Sequence, residues 1–103
     1  MTTWFISRHP GAIEWAKLQH LAVDRFEPHL DITLINVGDT VIGSLPVNLA
    51  AQVCAAGATY LHLSVELPAE LRGRELSADD LDRLGAKIEP FDIRAKPVLQ
   101  HQD

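Results

Sequence analysis

Apolar and polar positions in this chain alternate between two rhythms, and the switches between them outline the elements. Thr2 to Ile6 is a short apolar run that predicts a first strand. From Pro10 to His20 the apolar residues move to helical spacing, with Ile13 and Ala16, then Trp15 and Leu18, on one side. Val23 to Phe26 predicts a second short strand. Pro28 to Val37 supports two readings, a strand through Ile32, Leu34 and Ile35 or a turn of helix capped by Asp31. Gly38-Asp39 signals a turn, and Thr40 to Gly43 follows as a strand. Pro46 to Ala56 is an Ala-rich helix with Leu49, Val53 and Cys54 on its apolar side, and Gly57 stands where a left-handed cap belongs.

Ala58 to Leu67 has the clearest strand pattern. Leu61, Leu63, Val65 and Leu67 fall on one face, and Tyr60, His62, Ser64 and Glu66 on the other. That alternation predicts one apolar face and one that is polar or turned to a partner; Tyr60 and His62 are expected to be satisfied by neighbours or buried in a subunit contact, to which Ser64 is a further candidate. Pro68 to Leu76 reads as an Arg-containing loop. Ser77-Ala78-Asp79-Asp80 resembles an N-cap with acids in the first turn, and Gly85 ends the short helix. Ala86 to Ile93 completes the strands, and Arg94 to Asp103 is a polar, flexible tail. Strands alternating with helices predict an α/β fold. The expected form is a compact, Rossmann-like, parallel-rich sheet flanked by helices in a single domain over residues 1–93.

Charge narrows the partners. A formal net charge of −5 argues against a diffuse basic face for long nucleic acid. It leaves room for a small anion, because Arg8, Arg72 and Arg74 fall in predicted loops while acids gather late in the chain. No apolar run approaches the roughly 20 residues that cross a bilayer, so no membrane partner is expected. The opening Met1 to Ile6 has neither a basic stretch nor a cleavage site, and the single cysteine cannot form an internal disulfide; a cytoplasmic location is expected.

Two turns carry the candidate chemistry. Ile6-Ser7-Arg8-His9-Pro10-Gly11 and Ile42-Gly43-Ser44-Leu45-Pro46 each follow a strand and open a helix. Each brings a hydroxyl, and a proline near the first helical position, where its missing N–H costs nothing. Such turns lie at the carboxyl edge of a parallel sheet, the usual ligand crevice, and helix N-termini attract phosphate. The ligand-binding candidates are Ser7, Arg8, Pro10, Gly11, Gly43, Ser44, Leu45, Asn48, Arg72 and Arg74. Arg8 is read either as a phosphate clamp or as a solvated surface residue. His9 is a general acid or base, or else an exposed residue that helps cap the first helix. Ser7 and Ser44 are helix-entry hydroxyls that also suit phosphate or ribose. Asn48 either makes a local backbone bond or points into the crevice. Arg72-Gly73-Arg74 is a basic loop over an anion or a solvated turn. Trp15 is expected in the core, and Cys54 as a small buried hydrophobe. The five histidines are scattered, and no zinc spacing, G-x-G-x-x-G or lysine-bearing P-loop occurs, so no metal and no cofactor are expected.

Ser7 to Ala12, Gly38-Asp39, Gly43 to Ala50, and Leu67-Pro68 through Arg72-Gly73-Arg74-Glu75-Leu76 resemble, in order, the small ancillary Csx proteins of type III CRISPR loci. The similarity is to the sixteenth of that series and spans about residues 2 to 92. The resemblance implies a compact relative of the CRISPR-associated Rossmann fold that binds cyclic oligoadenylates, as a ring nuclease that ends antiviral signalling. A cyclic tetra-adenylate brings its own nucleophile, the ribose 2′-hydroxyl, so cleavage needs in-line placement and charge stabilisation rather than a metal. Ser7, Arg8 and His9 are then the catalytic candidates. One small subunit is hard pressed to enclose such a ring, and a homodimer is expected. The competing expectations are a non-catalytic sponge or sensor for the ring, and a small metabolic enzyme acting on a phosphorylated compound.

Overall fold

The computed structural model describes residues 1–98. It contains strands β1 (Thr3–Ile6), β2 (Arg25–Glu27), β3 (Thr40–Gly43), β4 (Thr59–Ser64) and β5 (Lys87–Phe91), with helices α1 (Pro10–Leu18), α2 (Val47–Ala55) and α3 (Ala78–Arg83). The strands make one sheet in the order β2-β1-β3-β4-β5. The first four are parallel, and β5 returns antiparallel along β4. This is a single α/β domain with a Rossmann-like arrangement.

Alternate side chains of the three central strands, β1, β3 and β4, feed two cores. Trp4, Ile6, Val41 and Tyr60 pack with Ala50 and Val53 of α2 on one side. Phe5, Ile42 and Leu63 pack with Ala12, Trp15 and Ala16 of α1 and with Leu81 of α3 on the other. Both faces of the sheet are therefore covered. The face read as polar or turned to a partner is core at Tyr60 and half-buried at His62 and Ser64, and Tyr60 and His62 are satisfied by neighbours, as one of the two expectations had it. Tyr60 lies under α2 and is only 1% exposed, because strands buried on both sides tolerate an amphipathic ring whose hydroxyl is bonded. Trp15 is core as expected.

Several boundaries move for identifiable reasons. β4 stops at Ser64, where its ladder with β5 ends at Lys87, so Val65 and Leu67 leave the sheet. The second strand begins at Arg25 rather than Val23, since Asp24 accepts the Thr3 N–H at the strand's edge. In the ambiguous stretch the helical reading holds. Ile32–Leu34 is a 3-10 turn, and the Asp31 carboxylate caps it through the Thr33 N–H at 3.0 Å. Pro10 is the first residue of α1, whereas Pro46 sits at the cap position before α2. Ser77 and Asp80 exchange side chain to backbone bonds at 3.0 Å, a capping box that starts α3. Cys54 is half-buried rather than fully buried, with its sulfur against the Ile93 N–H and the Phe91 carbonyl at the end of β5. Residues 94–98 are exposed and without regular structure, and the rest of the expected tail, 99–103, lies outside the described residues. Among the described residues no helix is long and apolar enough to cross a membrane.

The chain visits β2 on one side of β1 and then β3 on the other. α1 and α2 consequently leave neighbouring strand ends toward opposite faces, and that divergence opens a crevice at the carboxyl ends of β1 and β3.

Candidate functional site

Ile6 and Gly43 are register partners at the ends of β1 and β3, so the two turns begin side by side. The close approach needs a glycine, since a Cβ at Gly43 would stand 2.8 Å from the Ile6 carbonyl oxygen. Between the diverging turns is a cleft of about 610 Å³. Ser7, Arg8 and His9 line it from the end of β1, Ser44 and Leu45 from the end of β3, and Arg74 from the loop before α3. Its base is apolar, with Ile6, Leu63 and Leu81 beneath the polar rim.

His9 Nδ1 lies 3.1 Å from Glu75 Oε1, joining the first turn to the loop before α3. This partner fixes the ring by its Nδ1 edge and leaves Nε2 for a reacting group, the orientation that a proton-transferring histidine needs. Both side chains are more than 60% exposed, so the pair orients more than it stabilises. The Ser7 hydroxyl oxygen accepts the His9 N–H at 3.1 Å, a local turn that keeps its own hydrogen available to a ligand. Ser44 differs, because its hydroxyl donates to the Leu63 carbonyl at 2.6 Å and is left as an acceptor. Among the described residues no carboxylate lies within 4 Å of Arg8 or Arg74, so both guanidiniums remain open to an anion.

Below the second turn the Tyr60 hydroxyl meets the Gly43 carbonyl at 3.0 Å, the Leu45 N–H at 2.9 Å and His62 Nδ1 at 2.6 Å. Burial pushes this phenol above its ordinary value of 10.0, so it is protonated at neutral pH.

The remaining candidates lie elsewhere. Pro10 opens α1 next to the cleft without lining it. Gly11 is a packing residue: a Cβ there would collide with the Leu76 carbonyl, so α1 rests directly on the loop before α3. Asn48 is exposed, makes no side-chain hydrogen bond among the described residues and does not line the cleft. Arg72, in the turn with Gly73, does not line the cleft, whereas Arg74 does. His9 occupies the cap position of α1 but makes no side-chain cap bond. Reasoning on the sequence missed Glu75, Tyr60 and His29, the last of which lines the cleft from the turn after β2. His29 carried a readable signal, since it too follows a parallel strand. Among the described residues no group of three His, Cys, Asp or Glu side chains is placed to hold a metal ion.

This arrangement suits an anionic ligand with a transferable proton. It offers two unpaired guanidiniums, a hydroxyl donor and an oriented imidazole around an apolar base. A family model described as "Putative CRISPR-associated protein (Cas_VVA1548)" matches residues 4–94, from within β1 to beyond β5. Comparison with curated proteins and with solved structures found no match. With the family model covering all of the sheet but its first residue, Thr3, and every residue that lines the cleft, the chain belongs to the Cas_VVA1548 family of CRISPR-associated proteins.

Proposed function

We propose that this chain is a ring nuclease of type III CRISPR signalling, which binds cyclic tetra-adenylate in the cytoplasm and opens it without a metal. The observation that carries the reading is the convergence of Ser7, Arg8, His9 and Arg74 on one cleft, with His9 held by Glu75. Membership of a CRISPR-associated family supports it, as does the resemblance of the turn sequences to the small Csx proteins and, through them, to the CRISPR-associated Rossmann fold.

The residues divide the chemistry as follows. His9 Nε2 takes the proton of a ribose 2′-hydroxyl as that oxygen attacks the adjacent phosphorus. The bond from phosphorus to the 5′-oxygen breaks, and the departing oxygen receives a proton from solvent. Arg8 neutralises the charge that builds on the non-bridging oxygens, while Ser7 and Arg74 hold the phosphate in line. The product is a linear adenylate with a 2′,3′-cyclic phosphate and a free 5′-hydroxyl, and His9 returns its proton to water.

A cleft of about 610 Å³ is within the range of roughly 300–1,000 Å³ that holds one drug-sized ligand. A ring of four nucleotides exceeds it, so two copies of the chain facing the ring across a two-fold axis complete the site. The test is incubation of the purified protein with labelled cyclic tri-, tetra- and hexa-adenylate, with and without EDTA. The expected result is conversion of the tetramer to linear products in both conditions. Binding without turnover would make the protein a sponge, and neither binding nor turnover would end the reading.

A further inference from the structure

The Tyr60 hydroxyl meets three polar neighbours, and their chemistry fixes where each hydrogen lies. A phenol has one hydrogen to give and two lone pairs to accept with. The Gly43 carbonyl can only accept, so the Tyr60 hydrogen goes to it, at 3.0 Å. The Leu45 N–H can only donate, and at 2.9 Å it takes one lone pair. What remains for His62 Nδ1, at 2.6 Å, is the second lone pair, so that nitrogen must itself carry a hydrogen. The alternative, in which Tyr60 donates to His62, removes the hydroxyl's hydrogen from the Gly43 carbonyl. Tyr60 is 1% exposed, and losing a bond at such a depth is costly.

The two peptide groups so held are the ones on either side of Ser44. The Ser44 hydroxyl is in turn bonded to the Leu63 carbonyl. Three bonds from a single strand, β4, therefore fix the turn that forms one wall of the cleft. We infer that Tyr60 is a positioning residue for the Gly43–Leu45 turn, and that it holds His62 in the form protonated at Nδ1. Its consequence for ligand binding rests on the reading of the cleft as a ring site; the state of His62 does not.

The test is nitrogen-15 NMR of the full-length protein, with long-range proton–nitrogen correlations of the five histidines. At a pH where His62 is neutral, wild type is expected to show its Nδ1 protonated and its Nε2 bare, the reverse of the usual preference of free imidazole. In Tyr60→Phe, which keeps the ring in the core, His62 should revert to Nε2–H and the Ser44 and Leu45 amide signals should move while those of β2 stay. Affinity for cyclic tetra-adenylate should fall about tenfold, on the scale of one buried hydrogen bond. His62 bearing its hydrogen on Nε2 in wild type would overturn the assignment, and that measurement requires no variant to fold. Unmoved Ser44 and Leu45 signals, or unchanged affinity, would overturn the positioning role. If wild type binds no ring at all, the proposed function falls, while the histidine signals still decide the inference.

Discussion

At the first turn, the contact between His9 and Glu75 decides how the imidazole is presented. The two residues are 66 positions apart and 3.1 Å from each other, so nothing local in the sequence announces the pair. Ser7, Arg8 and His9 were legible because a strand, a turn and a helix follow one another without interruption, and local order alone places them at the sheet edge. Glu75 was not legible as a site residue, since its role depends on where the loop before α3 comes to rest. Tyr60 was legible as a side chain satisfied by its neighbours, but its place in the core was not, for a related reason. Its alternation with Leu61 assigns it correctly to one face of β4, but only α2 packing there makes that face a core. Replacing Glu75 with Gln keeps an acceptor for Nδ1 and removes the negative charge. For an exposed pair the effect should be moderate, about a three- to tenfold drop in kcat with KM held, measured by steady-state cleavage of the labelled ring.

Among the elements, the seating of α1 against the loop before α3 joins the two sides of the cleft. Gly11 makes it possible, and its value to the site is this packing, a role that composition and turn chemistry could not separate from ligand contact. A methyl group at this position meets backbone, which cannot rotate away. Gly11→Ala should therefore cost about 2 kcal/mol in stability, or roughly 10 °C in Tm for a domain of this size, read by thermal melting. The same change should pull Glu75 from His9, so catalysis should fall in protein that is still folded at low temperature. Fold class, the three helices and the adjacency of the two turns followed from periodicity and punctuation. The antiparallel return of β5 and the early end of β4 did not, because strand direction is set by pairing partners rather than by pattern.

For the whole molecule, one buried carboxylate ties the amino-terminal strand to the turn before β3. Asp39 is 2% exposed and accepts from the Asn36 N–H, the Thr2 N–H and the Trp4 indole at 2.9–3.3 Å. The Asn36 bond, then the Thr2 bond, holds its carboxyl below the ordinary 3.8. A lowered folded-state value means the stabilisation is complete above the unfolded value and is lost as pH falls through the folded one. Asp80, held low chiefly by the Ser77 N–H, acts in the same direction. Melting temperature should accordingly be flat near neutrality and drop as pH passes below about 4, and Asp39→Asn should flatten that drop while lowering Tm at pH 7.

The fold brings its two helix-opening turns to one edge, and the central claim is that His9 in that cleft performs the proton transfer. Single-turnover cleavage of labelled cyclic tetra-adenylate in EDTA, measured beside a binding isotherm for wild type and His9→Ala, tests it most directly. The predicted result is a variant that binds the ring about as tightly as wild type and opens it about 10²–10⁴-fold more slowly. Cleavage by His9→Ala at the wild-type rate, or wild type that leaves the ring intact, would contradict it.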